Sequence, residues 1–285
     1  MNRFAATIRE LRFLDMMPDA VIARMSRDDV QSKATPSLVS AGRNGAIAEI
    51  PIQGAIASRQ SFVDGWEWET SYEGIAAMFD AAIADSSVGG VAMMVDSPGG
   101  MHSGMAELAD HIRSRRGEKP IAAYVTGMSA SAAYGLSAAA DRVFAAPSAL
   151  VGSIGTYVMH NDVSAMAERI GVKVTFIHAG RFKVDGNAFE PLSETARADL
   201  QAIVDHGYGQ FVDVVAAGRG VSASVVRGPE FGEGRVFVAD EAKKRGLIDG
   251  VKTMGQFFEA MGQSADSGAI DRRRRALNLK SRICA

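Results

Sequence analysis

The chain reads as an α/β fold whose sheet is covered by helices and whose C-terminal part is mostly helical. Between Ala46 and Ile177, short apolar runs of strand length alternate with stretches of helical period. After Pro191 the switching stops, and one helical period runs through Leu200, Ile203, Val204, Phe211, Val214 and Val215. The composition allows a full core, since 285 residues at 47% hydrophobic and 22% charged suffice for one large domain or two small ones.

In chain order, Phe4 to Met25 has apolar positions at helical spacing, interrupted nearby by Arg9, Glu10 and Arg12. No run reaches the roughly 18–20 apolar residues that span a bilayer, so this segment reads as a docked or subunit-contact helix and not as an anchor. Residues 31–44 are small, polar and turn-forming, and form a linker. The spacing then predicts strands at Ala46–Ile52, Val91–Asp96, Ile121–Thr126, Arg142–Ala145 and Val172–Ile177. It predicts helices at Tyr72–Ala84, Gly104–Arg115, Ser131–Ala140 and Val163–Ile170. Ser193 and Glu194 open the long C-terminal helix, and Asp240–Arg245 forms a short one closed by Gly246. Three units result: a helical segment and linker at 1–44, a main domain at 45–261, and a polar tail at 262–285.

Net charge is −2, so no global basic field points to nucleic acid, and the run Arg272–Arg275 reads as a solvated tail. The single cysteine, Cys284, excludes a disulfide framework and argues against a thiol nucleophile. His102, His111, His160, His178 and His206 share no metal-binding spacing.

Two stretches carry the chemistry. Ser131 falls where a strand gives way to a helix, a place where a hydroxyl can project and the next amide, that of Ala132, can face an oxyanion. Taken alone, such a serine is a helix cap or a packing residue. Lys183 lies in Gly180-Arg181-Phe182-Lys183-Val184-Asp185-Gly186-Asn187; taken alone, it is a surface lysine. Together they can supply a nucleophile and a base, because a lysine amine deprotonates serine where burial or neighbouring positive charge favours its neutral form. Upstream, Asp96-Ser97-Pro98-Gly99-Gly100 reads as a tight turn whose Gly99 and Gly100 amides a peptide carbonyl can approach without meeting a side chain. His178, five residues before Lys183, is the rival base. A Gly-x-Ser-x-Gly elbow is absent around Ser129 and Ser131, which argues against an α/β-hydrolase.

In combination and in this order, these features resemble the S49 serine peptidases related to signal peptide peptidase A, and among them the capsid assembly proteases of tailed phages. The resemblance runs from about Ala46 to Val251. It includes the Asp96–Gly100 segment with Met101, the Ser131 helix start, Val151-Gly152-Ser153-Ile154-Gly155, the Lys183 loop, and Gly234-Arg235-Val236-Phe237 leading into 242–249. It implies a Clp protease/crotonase-like spiral of strand-strand-helix units, with Ser131 as nucleophile, Lys183 as general base, and Gly99, Gly100 and Ala132 around the oxyanion. It further implies a homo-oligomeric ring in the host cytoplasm or procapsid, acting on head, portal or scaffold proteins without metal or cofactor. Two features depart from the family pattern: Ala132-Ala133 replaces the usual Gly-Gly after the nucleophile, and the long C-terminal scaffold region of some phage proteases has no counterpart in the sequence. Two other classes stay open, a peptidase degrading cleaved signal peptides and a non-proteolytic crotonase-like ring scaffold.

Overall fold

The computed structural model describes residues 36–40, 45–58, 62–63, 66–67 and 70–263. The expected N-terminal helix and the arginine run lie outside the described residues.

The chain enters the sheet through β1 (Ser37–Ser40), antiparallel to the long β2 (Ala46–Ala57). A small hairpin, β3 (Phe62–Val63) and β4 (Trp66–Glu67), and the short β5 (Thr70–Ser71) lead into helix α1 (Tyr72–Ala84). Its ends are those predicted from the sequence. Ser71 caps it, accepting the Gly74 N–H at 3.1 Å, and Tyr72, Ile75, Met78, Phe79, Ala82 and Ile83 form its buried face. Next come β6 (Val88–Gly100), α2 (Met105–Ser114), β7 (Ile121–Ala130), α3 (Ala132–Ala138) and β8 (Arg142–Ala145). Strands β2, β6, β7 and β8 pair in parallel, as helical crossovers require.

Both faces of this sheet are covered. Along β7, Ile121, Ala123 and Val125 join the main core under the helices, while Ala122 and Tyr124 join a second cluster with Phe257 and Met261. Tyr124 stacks on Phe257 with centroids 4.7 Å apart. Phe257 and Met261 belong to a helix at 254–263, for which the sequence pattern had suggested no element. Burial on both faces explains why β6 and β7 read as continuous apolar runs without alternation.

Strand β7 changes partner midway. Ala122–Val125 pair with β8, whereas Met128–Ala130 pair with β9 (Leu150–Gly152), which continues antiparallel onto β10 (Val236–Val238). This fork opens a groove at the C-terminal end of β7. The chain is completed by α4 (Ser164–Arg169), the long α5 (Glu194–Arg219), α6 (Ala223–Arg227), α7 (Ala239–Lys244) and β11 (Gly250–Val251), which pairs parallel with β8. As expected from the sequence, Ser193 caps α5, accepting the Ala196 N–H at 3.1 Å. The C-terminal half of α5 packs closely on α3: a Cβ on Gly218 would stand 2.3 Å from the Ala138 carbonyl oxygen. Arg116 donates to the carbonyls of Ala138, Ala139, Ala140 and Gly218, which satisfies the otherwise open C-terminal end of α3.

Three expectations need correction. Within residues 31–44, expected as a linker, Ser37–Ser40 is strand β1, antiparallel to β2. Val172–Ile177, expected as a strand, forms none, although its alternation suits one; it pairs with no strand among the described residues, and a strand needs a ladder partner. Asp96–Gly100, expected as a tight turn, is the extended end of β6. It still pairs with β2, and a register shift between Gln53 and Ala55 accommodates Pro98, which has no N–H to offer the ladder.

Candidate active site

Ser131 sits between the end of β7 and the start of α3 with φ 51° and ψ −130°, a region that non-glycine residues rarely occupy. Its backbone is held there from both sides: its N–H donates to the Gly152 carbonyl at 2.9 Å, and its carbonyl accepts the Tyr134 N–H at 2.8 Å. The side chain makes no capping hydrogen bond. The helix-cap alternative therefore does not describe this serine, whose strained backbone presents a hydroxyl that caps nothing.

Gly99 is pressed against this residue. It has φ 105°, and a Cβ there would lie 2.7 Å from the Ser131 Cβ and 3.0 Å from the Ala132 nitrogen. Only glycine fits both the angle and the space. Gly100 is equally crowded on its other side, where a Cβ would stand 2.0 Å from the Ile56 carbonyl oxygen. The Gly99 N–H is already engaged, donating to Ser97 Oγ at 3.1 Å, and the Met101 N–H donates to the Ile56 carbonyl at 2.9 Å. Of the expected oxyanion donors, Gly99 thus has its N–H taken by Ser97, while Gly100 and Ala132 line the same groove as Ser131.

These residues line a groove of about 1010 Å³, whose walls also include Met101, Met105, Ile154, Tyr157, Tyr208 and Phe211. Among the described residues, three non-glycine residues have positive φ, namely Ser131, Ser153 and Glu233, and all three line this groove. Backbone strain concentrates at functional sites, and here it concentrates in one place. Charged and polar groups line the groove too. The Arg227 guanidinium lies 5.0 Å from the Tyr208 ring centroid, Asp205 and Glu233 add carboxylates, and His102 Nε2 is 2.9 Å from Gln210 Oε1. The sequence pattern had not marked His102, because no motif surrounds it. Among the described residues, no group of three or more His, Cys, Asp or Glu side chains is placed to hold a metal ion.

Lys183 is not brought to Ser131 within the single chain. It lies in a turn closed by its own N–H donating to the Gly180 carbonyl at 3.1 Å, is exposed, and is not among the residues lining the groove. His178 is exposed in the same loop, its Nδ1 3.0 Å from the Gly180 oxygen, and is equally outside the groove. The segment that carries both exposes an unusual amount of apolar surface: Ile177 is 98% exposed, Tyr157 86% and Ile170 64%. No helix among the described residues is long and apolar enough to cross a membrane.

The chain is 33% identical over 248 residues to the capsid assembly protease C of Escherichia phage lambda, covering 87% of this chain and 55% of that protein. It is 33% identical over 221 residues to the head-tail preconnector protein GP5 of Enterobacteria phage P21, covering 78% and 44% respectively. A putative protease of Methanocaldococcus jannaschii matches at 33% over 189 residues, 66% of this chain and 60% of that one. The chain thus spans about half the length of the two phage relatives. A ClpP1 mutant from Listeria monocytogenes superposes with a TM-score of 0.46 at 13% identity, over 74% of this chain and 94% of that one. The family description Peptidase family S49 matches residues 113–267, a span holding both Ser131 and Lys183, and the chain belongs to that family.

Proposed function

We propose that the protein is a serine endopeptidase of phage capsid maturation that uses Ser131 as nucleophile and Lys183 as general base. The observation that carries this reading is the strained Ser131, its hydroxyl uncommitted, wedged against Gly99 in a groove wide enough for an extended peptide. Neutral Lys183 takes the Ser131 Oγ proton while Oγ attacks the peptide carbonyl carbon. The oxyanion accepts hydrogen bonds from the amides of Gly100 and Ala132. Ala132 opens a helix, where a first-turn amide has no intrahelical partner. In an extended strand successive amides face opposite edges, so with Met101 turned toward Ile56 the Gly100 N–H faces the Ser131 side. Lys183 then protonates the leaving amine, and water hydrolyses the acyl-enzyme. Two phage relatives are named for capsid assembly and for the head-tail preconnector, which supports proteins of the phage head as substrates.

Lys183 reaches Ser131 by assembly. The exposed apolar segment around it has the character of a subunit surface, and a homo-oligomeric ring would bring the Lys183 loop of one copy to the groove of another. Mixing tests this directly. Ser131→Ala and Lys183→Ala proteins, each inactive on labelled casein, should regain activity when unfolded together and reassembled. Silence of the mixture, with each parent assembled normally, would show that both residues must come from one chain. Labelling of wild type but not Ser131→Ala by a fluorophosphonate tests the nucleophile independently.

A further inference from the structure

Ser97 is fully buried on β6, two residues before Gly99. Its hydroxyl donates to the Gly54 carbonyl at 2.6 Å and accepts the Gly99 N–H at 3.1 Å. Both bonds lie at the register shift between Gln53 and Ala55, where the regular pairing of β2 with β6 is interrupted. The hydroxyl bridges the interruption from strand to strand. The residue it holds is the one pressed against the nucleophile, 2.7 Å from the Ser131 Cβ when a Cβ is placed on Gly99. A shift of the Gly99 backbone would carry the Gly100 amide with it, changing its distance from the carbonyl that Ser131 attacks.

We infer that Ser97 is a positioning residue of the oxyanion hole: through Gly99 it sets where the Gly100 amide stands relative to Ser131 and Ala132. This inference rests on the serine peptidase reading above. Ser97 contacts no substrate, so it should act on the transition state and leave substrate binding almost untouched. A neighbouring serine provides the contrast. Ser129 is equally buried on β7, but its hydroxyl pairs with Ser137 Oγ at 2.9 Å and holds no part of the Gly99–Gly100 segment.

The experiment compares Ser97→Ala with Ser129→Ala in the full chain, measuring hydrolysis of labelled casein, the rate of fluorophosphonate labelling and thermal unfolding. Ser97→Ala should lower kcat about tenfold to a hundredfold with KM within about twofold, and should slow labelling in the same proportion, because the phosphonyl oxygen uses the same amides. Ser129→Ala should lower the melting temperature while keeping the labelling rate. Should Ser97→Ala fail to fold, Ser97→Cys carries the test: its thiol fits the site but hydrogen-bonds weakly, so kcat and labelling rate should still fall together. Wild-type kcat and labelling in the folded variant, a change confined to KM, or an equal fall in Ser129→Ala would overturn the inference while leaving the peptidase reading standing. A wild-type protein that neither cleaves casein nor takes the label would overturn both.

Discussion

Two regions of the molecule, the Ser131 groove and the Lys183 segment outside it, are built in opposite ways. The wall carrying Ser131, Gly99 and Ala132 comes from the ends of β6 and β7, parallel strands buried on both faces, and is held by backbone N–H groups donating to Gly152, Ser97 and Ile56. The segment carrying Lys183 has one short helix, α4, and leaves Ile177, Tyr157 and Ile170 largely uncovered. A rigid core can hold a residue in a strained conformation because its surroundings over-determine it. A segment with uncovered apolar side chains has no such support until something packs on it. Under the proposed mechanism, the contrast means that Ser131 is prepared within the fold and Lys183 is delivered by assembly.

The largest effects should come from the two residues that the comparison separates. Ser131→Ala should reduce casein hydrolysis by roughly a thousandfold or more with unchanged melting temperature, since one hydroxyl is lost and no cap with it. Lys183→Arg should match that loss, because guanidinium stays protonated and cannot serve as the base. His178→Ala and His102→Ala should stay within about threefold of wild type on the same kinetic assay. Loss of activity in His102→Ala with activity kept in Lys183→Arg would place the base inside the groove and remove the need for assembly.

A smaller but more discriminating effect is expected from Ile177→Asp. At a position 98% exposed in the single chain, this change should shift folding stability by no more than about 0.5 kcal/mol. In a subunit contact it would bury a charge. Light scattering should then show dissociation toward monomer, with activity falling about tenfold or more. An assembled, fully active Ile177→Asp protein would break the comparison.

The smallest effect concerns the rigid half alone. Asp249 bonds Arg219 at 2.9 Å and accepts the Val143 N–H at 2.7 Å. Burial pushes its carboxyl up, but the hydrogen bonds from Arg219 and Val143 and the charges of Arg219 and Arg142 outweigh this and hold it below the usual range. The ionised group therefore stabilises the fold above the unfolded carboxyl's pKa of about 3.9, and that contribution is lost as pH falls through the lower folded value. Asp249→Asn should be about 2 kcal/mol less stable at neutral pH, the size of a hydrogen bond to a charged group, with the gap to wild type closing in strong acid on thermal unfolding. A gap that is constant across pH would mean that shape, and not charge, is what Asp249 supplies.

Local pattern and tertiary context divide along the same line as these two regions. Helix α1 and strand β8 have the ends their sequences indicate, because capping, periodicity and β-branched or aromatic residues act within a few positions of one another. Ser131, Lys183 and the paired glycines could be singled out because their neighbours carry local signals: a strand end, flanking glycines, a proline. Val172–Ile177 shows where this stops. Its alternation specifies an extended chain, but a strand also needs an edge to pair with, and no residue inside the segment can say whether one is present.

The sequence by itself determined the α/β class, the order of most elements and the strand-to-helix junction at Ser131, since these follow from hydrophobic period and from chemistry within short stretches. Only the tertiary structure decided that Asp96–Gly100 stays paired as a strand, that the Gly99 amide is taken by Ser97, that Ser131 is held at positive φ and that Lys183 stands outside the groove. Each of these depends on backbone groups far apart in the chain, such as Gly54 with Ser97 or Gly152 with Ser131. A backbone amide has the same chemistry at every position, so no sequence pattern marks which carbonyl it will find.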